Sequence, residues 1–160
     1  MNTYELAPLL EAVLRIVLGL RFLYSGVSNI IRWPHAIGTA RVVFPVGAPF
    51  FGFVGVLFMT VGGVGLALGV QTQICALMIA LFLLPTFVIH VHWRRLFPAM
   101  VADLAGAIRG DELGPKMQYI GKHAVHAHDV GWQDNLVFFV LALYFAVRPD
   151  TVLALGNVLF

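Results

Sequence analysis

Charge is what this sequence has least of. Only 11% of its 160 residues are Asp, Glu, Lys or Arg, while 60% are hydrophobic. Soluble domains carry about 25% charged residues. A chain this short cannot bury so much apolar surface in one water-bathed core. With a mean hydropathy of +0.89, the bilayer is its expected solvent. There is one cysteine, Cys75, which excludes an internal disulfide. It lies in an apolar run and reads as a buried small residue rather than a reactive thiol. The net charge is only +2 and no basic block is interleaved with aromatics, so a nucleic-acid partner is not expected. HExxH and CxxCH are also missing, as is any paired carboxylate inside an apolar run. Those absences argue against a zincin-type centre, covalently attached haem and a carboxylate-driven proton pump. No Ser-His-Asp arrangement can be argued either.

Four apolar segments remain, at about 9–31, 48–70, 74–92 and 132–148. Each must satisfy its own backbone inside lipid, so each is expected as a helix. The expected fold is an all-α membrane protein: a single domain over 1–160, built as a four-transmembrane-helix bundle. The opening "MNTYELAPLLEAVLRIVLGLRF" lacks the basic start and small-residue site of a cleaved signal. The first segment is therefore expected to stay in the mature protein. The first connection, "RWPHAIGTARVVFPVGAP", holds three prolines and should not be one continuous helix. The second, "VQTQ", is tight and makes helices two and three antiparallel neighbours. The third runs from Trp93 to about Gly131. Within it, Pro98 near a start, Gly110 at a stop and Phe97, Met100, Val101, Leu104 and Ile108 at helical spacing predict an interfacial amphipathic helix over about 97–109.

Arg32, Arg41, Arg94, Arg95, Arg109, Lys116 and Lys122 all fall in the first and third connections. The positive-inside rule then puts both loops in the cytoplasm. The second segment carries Gly52, Gly55, Gly62, Gly63, Gly65 and Gly69. These let another backbone come close, or let a cofactor lie against the surface. They are not a phosphate loop, since no Lys-Ser/Thr follows.

Polar groups inside a span are expensive and point to function. Glu11, Arg15, Phe22, Gly26 and Asn29 form one stripe of the first helix, with Arg21, Ser25, Ser28 and Arg32 beside it. That sector should face the bundle interior or a partner. Glu11 and Arg15 are four apart and can pair. Arg15 and Arg21 either polarise a bound molecule or cap carbonyls of neighbouring helices. His90 and His92 close the third segment, two apart, so they point in different directions. One of them can face inward and meet helix one. The stretch "GKHAVHAHDVGW" packs His123, His126, His128 and Asp129 together. It reads as a solvated or partner-facing loop, as proton carriers, or as a zinc or copper site with Asp129 orienting an imidazole.

Three stretches carry a family likeness. In "LRIVLGLRFLYSGVSNI", Arg15, Gly19, Phe22, Gly26 and Asn29 stand at the pattern positions. In "GGVGLALGVQTQICALMIA" they are Gly62, Gly63, Leu66 and Gly69, and in "DNLVFFVLALYF" they are Asn135 and Leu136. With these the chain resembles the DoxX/DoxD-like family of small four-helix membrane proteins. It departs from that pattern at Asn29, where a lysine is common, and at Met59, where a glutamate is expected. The resemblance implies a subunit of a redox complex in the bacterial cytoplasmic membrane, supporting electron transfer from sulfur compounds or other donors to the quinone pool. Partners would be the lipid bilayer and other membrane or membrane-associated redox subunits, or further copies of this chain. On that reading Arg15, Arg21, Asn29, His90 and His92 are candidate quinone-binding residues. The two other readings are a non-catalytic anchor or assembly subunit, and a metal-handling membrane protein using His123, His126, His128 and Asp129.

Overall fold

The computed structural model describes residues 3–107, 113–148 and 154, with five helices and no strand among them. They are α1 (Thr3–Ile31), α2 (Trp33–Val43), α3 (Ala48–Leu68), α4 (Thr72–Ala107) and α5 (Leu113–Val147). Three of these are long and apolar enough to cross a membrane: α3, α4 and α5. The arginines and other polar residues of α1 lower its apolar balance, and it is not among the three.

The breaks follow backbone chemistry. The chain bends at Arg32, and Pro34 sits in the first turn of α2, where its missing N–H costs no hydrogen bond. Gly47 opens α3 at φ 80°, followed by Pro49 in the first turn. Gly69 closes α3 at φ 72°, and the Val70 N–H donates back to the Gly65 carbonyl at 2.8 Å. This is a Schellman stop, which needs the left-handed conformation that glycine adopts without strain. Thr72 then starts α4, antiparallel to α3.

Close approach is set by small residues. A Cβ at Gly63 would lie 2.6 Å from the Leu23 nitrogen and 2.8 Å from the Gly19 carbonyl, so α1 and α3 touch backbone to backbone. Around that seam the core buries Leu18, Phe22, Met59, Leu66, Ile79, Leu83 and Phe145. Cys75 is buried beside it, as its apolar surroundings predicted. The outer faces are apolar too. Leu10, Val13, Val17, Leu20, Val27 and Ile31 of α1 are exposed, which suits contact with lipid rather than water.

The third connection differs from the sequence expectation. Residues 97–107 are not a separate interfacial helix but the continuation of α4, and residues 108–112 lie outside the described residues. Likewise α5 begins at Leu113, not near Trp132, and takes in most of the expected loop. At 1.5 Å per residue these helices span about 50 Å, well beyond the roughly 30 Å hydrocarbon core. The reason lies in pairing. The two extensions zip together through Val101 against Gly121, through Trp93 and Phe97 against His128, and through the Arg94–Asp129 ion pair at 3.1 Å. Helical periodicity over 97–107 was real, and Phe97 and Val101 of its apolar face meet α5, while Met100 and Leu104 are exposed.

Candidate functional site

A cavity of about 420 Å³ lies where α1, α2, α4 and α5 meet above Met59 of α3. From α1 it receives Arg21, Phe22, Ser25 and Asn29, one turn after another along the predicted polar sector. From α4 come Phe82, Thr86, Ile89, His90, Trp93 and Phe97, again at helical spacing. The α5 wall is His128, Asn135 and Phe138, and α2 adds His35 and Thr39. No carboxylate lines it among the described residues.

Its polar groups are oriented. Arg21 hydrogen-bonds the Ser25 hydroxyl, and its guanidinium lies 5.9 Å from the centre of the Phe138 ring, a cation–π distance. Asn29 donates from Nδ2 to the Ser25 carbonyl at 2.9 Å, which leaves its own carbonyl oxygen able to accept. Asn135 donates to the Thr86 hydroxyl at 2.9 Å, and Thr86 donates to the Leu83 carbonyl at 2.6 Å. The Thr86 proton is therefore spent, while the Asn135 carbonyl oxygen keeps capacity.

The histidine pair is the most specific feature. His90 Nδ1 and His128 Nδ1 are 3.0 Å apart. Both nitrogens cannot carry a proton at that distance. One ring must be the Nδ1–H tautomer and the other must present its Nδ1 lone pair. His128 is held flat against Phe97, centroids 5.4 Å apart, and against Trp93. Gly131 makes room for the other ring: a Cβ there would lie 3.0 Å from His90 Nδ1 and closer still to Cε1. Phe22 meets Phe82 and Phe138 edge-on, so the rest of the wall is aromatic.

With this geometry in view, comparison with known proteins gives one positive finding. The DoxX family model matches residues 10–93. The chain belongs to the DoxX family. No curated protein and no solved structure matches it. The DoxX match spans α1, α2, α3 and the part of α4 that carries His90 and Trp93. The α5 wall of the cavity, with His128, Asn135 and Phe138, lies beyond the matched stretch, as does the Asn135-Leu136 likeness. Asn29 and Met59 both line the cavity.

The residues singled out from sequence divide cleanly. Arg21, Asn29 and His90 are brought together in the cavity. Arg15 is elsewhere. It is 1% exposed and donates from Nη1 to the carbonyls of Leu66 at 2.6 Å and Ala67 at 3.1 Å, at the C-terminal end of α3. Near that end Arg148 holds the Glu11 carboxylate at 2.7 Å. His92 does not line the cavity, and its ring stands edge-on to Trp93. His123 turns back to the Tyr119 carbonyl at 2.9 Å, and His126 is exposed. Asp129 pairs with Arg94 rather than orienting an imidazole. Among the described residues no group of three or more His, Cys, Asp or Glu side chains is placed to hold a metal ion. Sequence reasoning passed over Thr86, Trp93 and Phe97 as wall residues. Their signal was present: 86, 90, 93 and 97 are spaced four, three and four along one face of α4.

Proposed function

We propose that this chain is a four-span membrane subunit that binds a quinone in the cavity and supports its reduction by a membrane-associated redox partner. The observation that carries this reading is the convergence of Arg21, Asn29 and His90 on one aromatic-walled, carboxylate-free cavity. Planar rings pack well between aromatic side chains. Reduction places negative charge on the ring oxygens, and a fixed guanidinium stabilises that charge. The His90–His128 pair relays a proton: the ring that accepts at Nδ1 gives up its Nε2 proton and takes the Nδ1 proton of its neighbour, which is reprotonated at Nε2 from water. The fourth span would be α1, supported by its full-length apolar outer face and its backbone contact with α3. The bundle would sit in the bacterial cytoplasmic membrane with the α2 side and the α4–α5 extension in the cytoplasm. Arg32, Arg41, Arg94, Arg95, Lys116 and Lys122 all belong to that side.

The test is Arg21→Gln in the full chain, assayed for binding of decyl-ubiquinone in nanodiscs. Losing one charge-assisted bond costs about 1.5–3 kcal/mol, or roughly 10- to 100-fold in affinity. Unchanged affinity would remove Arg21 from the site and with it the main support for the reading.

A second reading rests on a different observation. The α4–α5 extension exposes Arg94, Arg95, Lys122, His123 and His126. Such a surface suits docking of an acidic partner enzyme. Reversing Arg95 and Lys122 to Glu would then release that enzyme from the membrane while quinone binding stays intact.

A further inference from the structure

A smaller cavity of about 120 Å³ lies directly against the first. The two share Asn29, Thr39, Met59, Phe82, Thr86 and Ile89 as common wall. Beyond that wall the character changes. The remaining lining is Ala36, Ala40, Val43 and Phe44 from the α2 side, Phe51, Gly52, Gly55 and Val56 of α3, and Pro85 of α4, with no charged side chain. Phe44 and Phe51 stack at 3.9 Å between centroids at its outer limit, and Phe51 is exposed. The absence of a side chain at Gly52 and Gly55 keeps the space open. A Cβ at Gly55 would already touch the Phe82 ring at 3.4 Å. A polar, aromatic chamber therefore lies wall to wall with a narrow apolar one, whose lining includes the exposed Phe51.

We infer that the joined cavities form one site for a membrane-soluble molecule with a polar head and an apolar tail. The head lies among Arg21, Asn29 and the histidine pair, and the first methylenes of the tail lie between α2, α3 and α4. The tail leaves past Phe51 toward lipid. The identity of the head rests on the quinone reading above, whereas the tail chamber does not.

The experiment uses the full chain in nanodiscs with two photoprobes, each bearing a diazirine midway along a ten-carbon chain: a decyl-ubiquinone and a decanoic acid. Adducts are mapped by mass spectrometry. The expected result is saturable labelling by the quinone probe at Ala36, Ala40 and Val56, displaced by unlabelled decyl-ubiquinone. It should be lost in Gly55→Leu and, independently, in Ala40→Leu, both of which fill the chamber. Labelling there by the acid probe alone would support the head-and-tail site and overturn the quinone reading. Labelling by either probe that is confined to the exposed faces, and unaltered in both variants, would overturn the tail chamber. In that case displacement from the polar cavity by a tail-less benzoquinone would leave the quinone reading standing.

Discussion

Arg15 gives the sharpest test of how this bundle is held together. The perturbation is Arg15→Met, which keeps an unbranched apolar stem and removes the charged head. Two charge-assisted bonds disappear, to the carbonyls of Leu66 and Ala67 at 2.6 and 3.1 Å. Each is worth about 1.5–3 kcal/mol. The C-terminal end of α3 also loses a favourable cation, worth about 0.3–1 kcal/mol. Those bond values are already net of desolvating the guanidinium, so the expected destabilisation is about 3–5 kcal/mol, the range for breaking a buried ionic contact on one side. It should appear as a lower midpoint in denaturant-induced unfolding of the detergent-solubilised chain. Because Arg15 does not line the cavity, the folded fraction of the variant should bind decyl-ubiquinone as the wild type does. Arg21→Gln should show the reverse, with stability kept and binding lost. An Arg15→Met protein of wild-type stability with lost binding would refute the division of labour between the two arginines.

Two further outcomes follow from close contacts. Gly131→Ala should push the His90 ring off His128 while keeping both imidazoles. In the histidine-labelled protein, nitrogen NMR should show the Nδ1–Nδ1 hydrogen bond lost, with quinone-linked turnover reduced and binding retained; a persisting bond would mean that the contact at Gly131 does not position the ring. Gly63→Val places side-chain carbons against the Leu23 nitrogen and the Gly19 carbonyl. It should part α1 from α3 and cost about 1–3 kcal/mol or more in unfolding experiments, whereas a neutral result would remove the backbone seam.

Much of this was legible in the sequence, and where it was not the reason is physical. Apolar runs reported α3 and the apolar part of α4 because lipid demands them. The first polar stripe of α1 announced an inward face, with Glu11, Arg15, Phe22 and Gly26 buried, whereas Arg21 and Arg32 of the stripe beside it stay exposed. It did not separate Arg15 from Arg21. Both are arginines in the polar sector of one helix, and only the C-terminal end of α3, brought alongside by antiparallel packing, makes Arg15 a buried cap while Arg21 stays exposed at the cavity. The extension of α4 and α5 was hidden for another cause. Residues 113–131 hold Gly114, Gly121 and Gly131 among polar side chains and read as loop. Two of those glycines are where α4 side chains press in, Val101 at Gly121 and His90 at Gly131. Weak local propensity there marks tight helix packing, which no single-helix pattern can report.

That same packing answers what the histidine-rich stretch does. Read alone, "HAVHAHD" offers three imidazoles and a carboxylate within seven positions. Winding it into α5 scatters them. His123 and His126 go to the outer surface, Asp129 goes to Arg94 of α4, and His128 is the one histidine of the three that turns toward α4. There it meets His90, a residue 38 positions away in sequence. On the proposed orientation, this pair lies at the height where the bundle leaves the lipid, beside Trp93, Arg94 and Arg95. On the proposed quinone reading, a ring delivered from the bilayer and a proton delivered from water would meet at this level. The length of α4 and α5 beyond the apolar core would then be part of the site: without the extension His128 would have no helix to hold it beside His90.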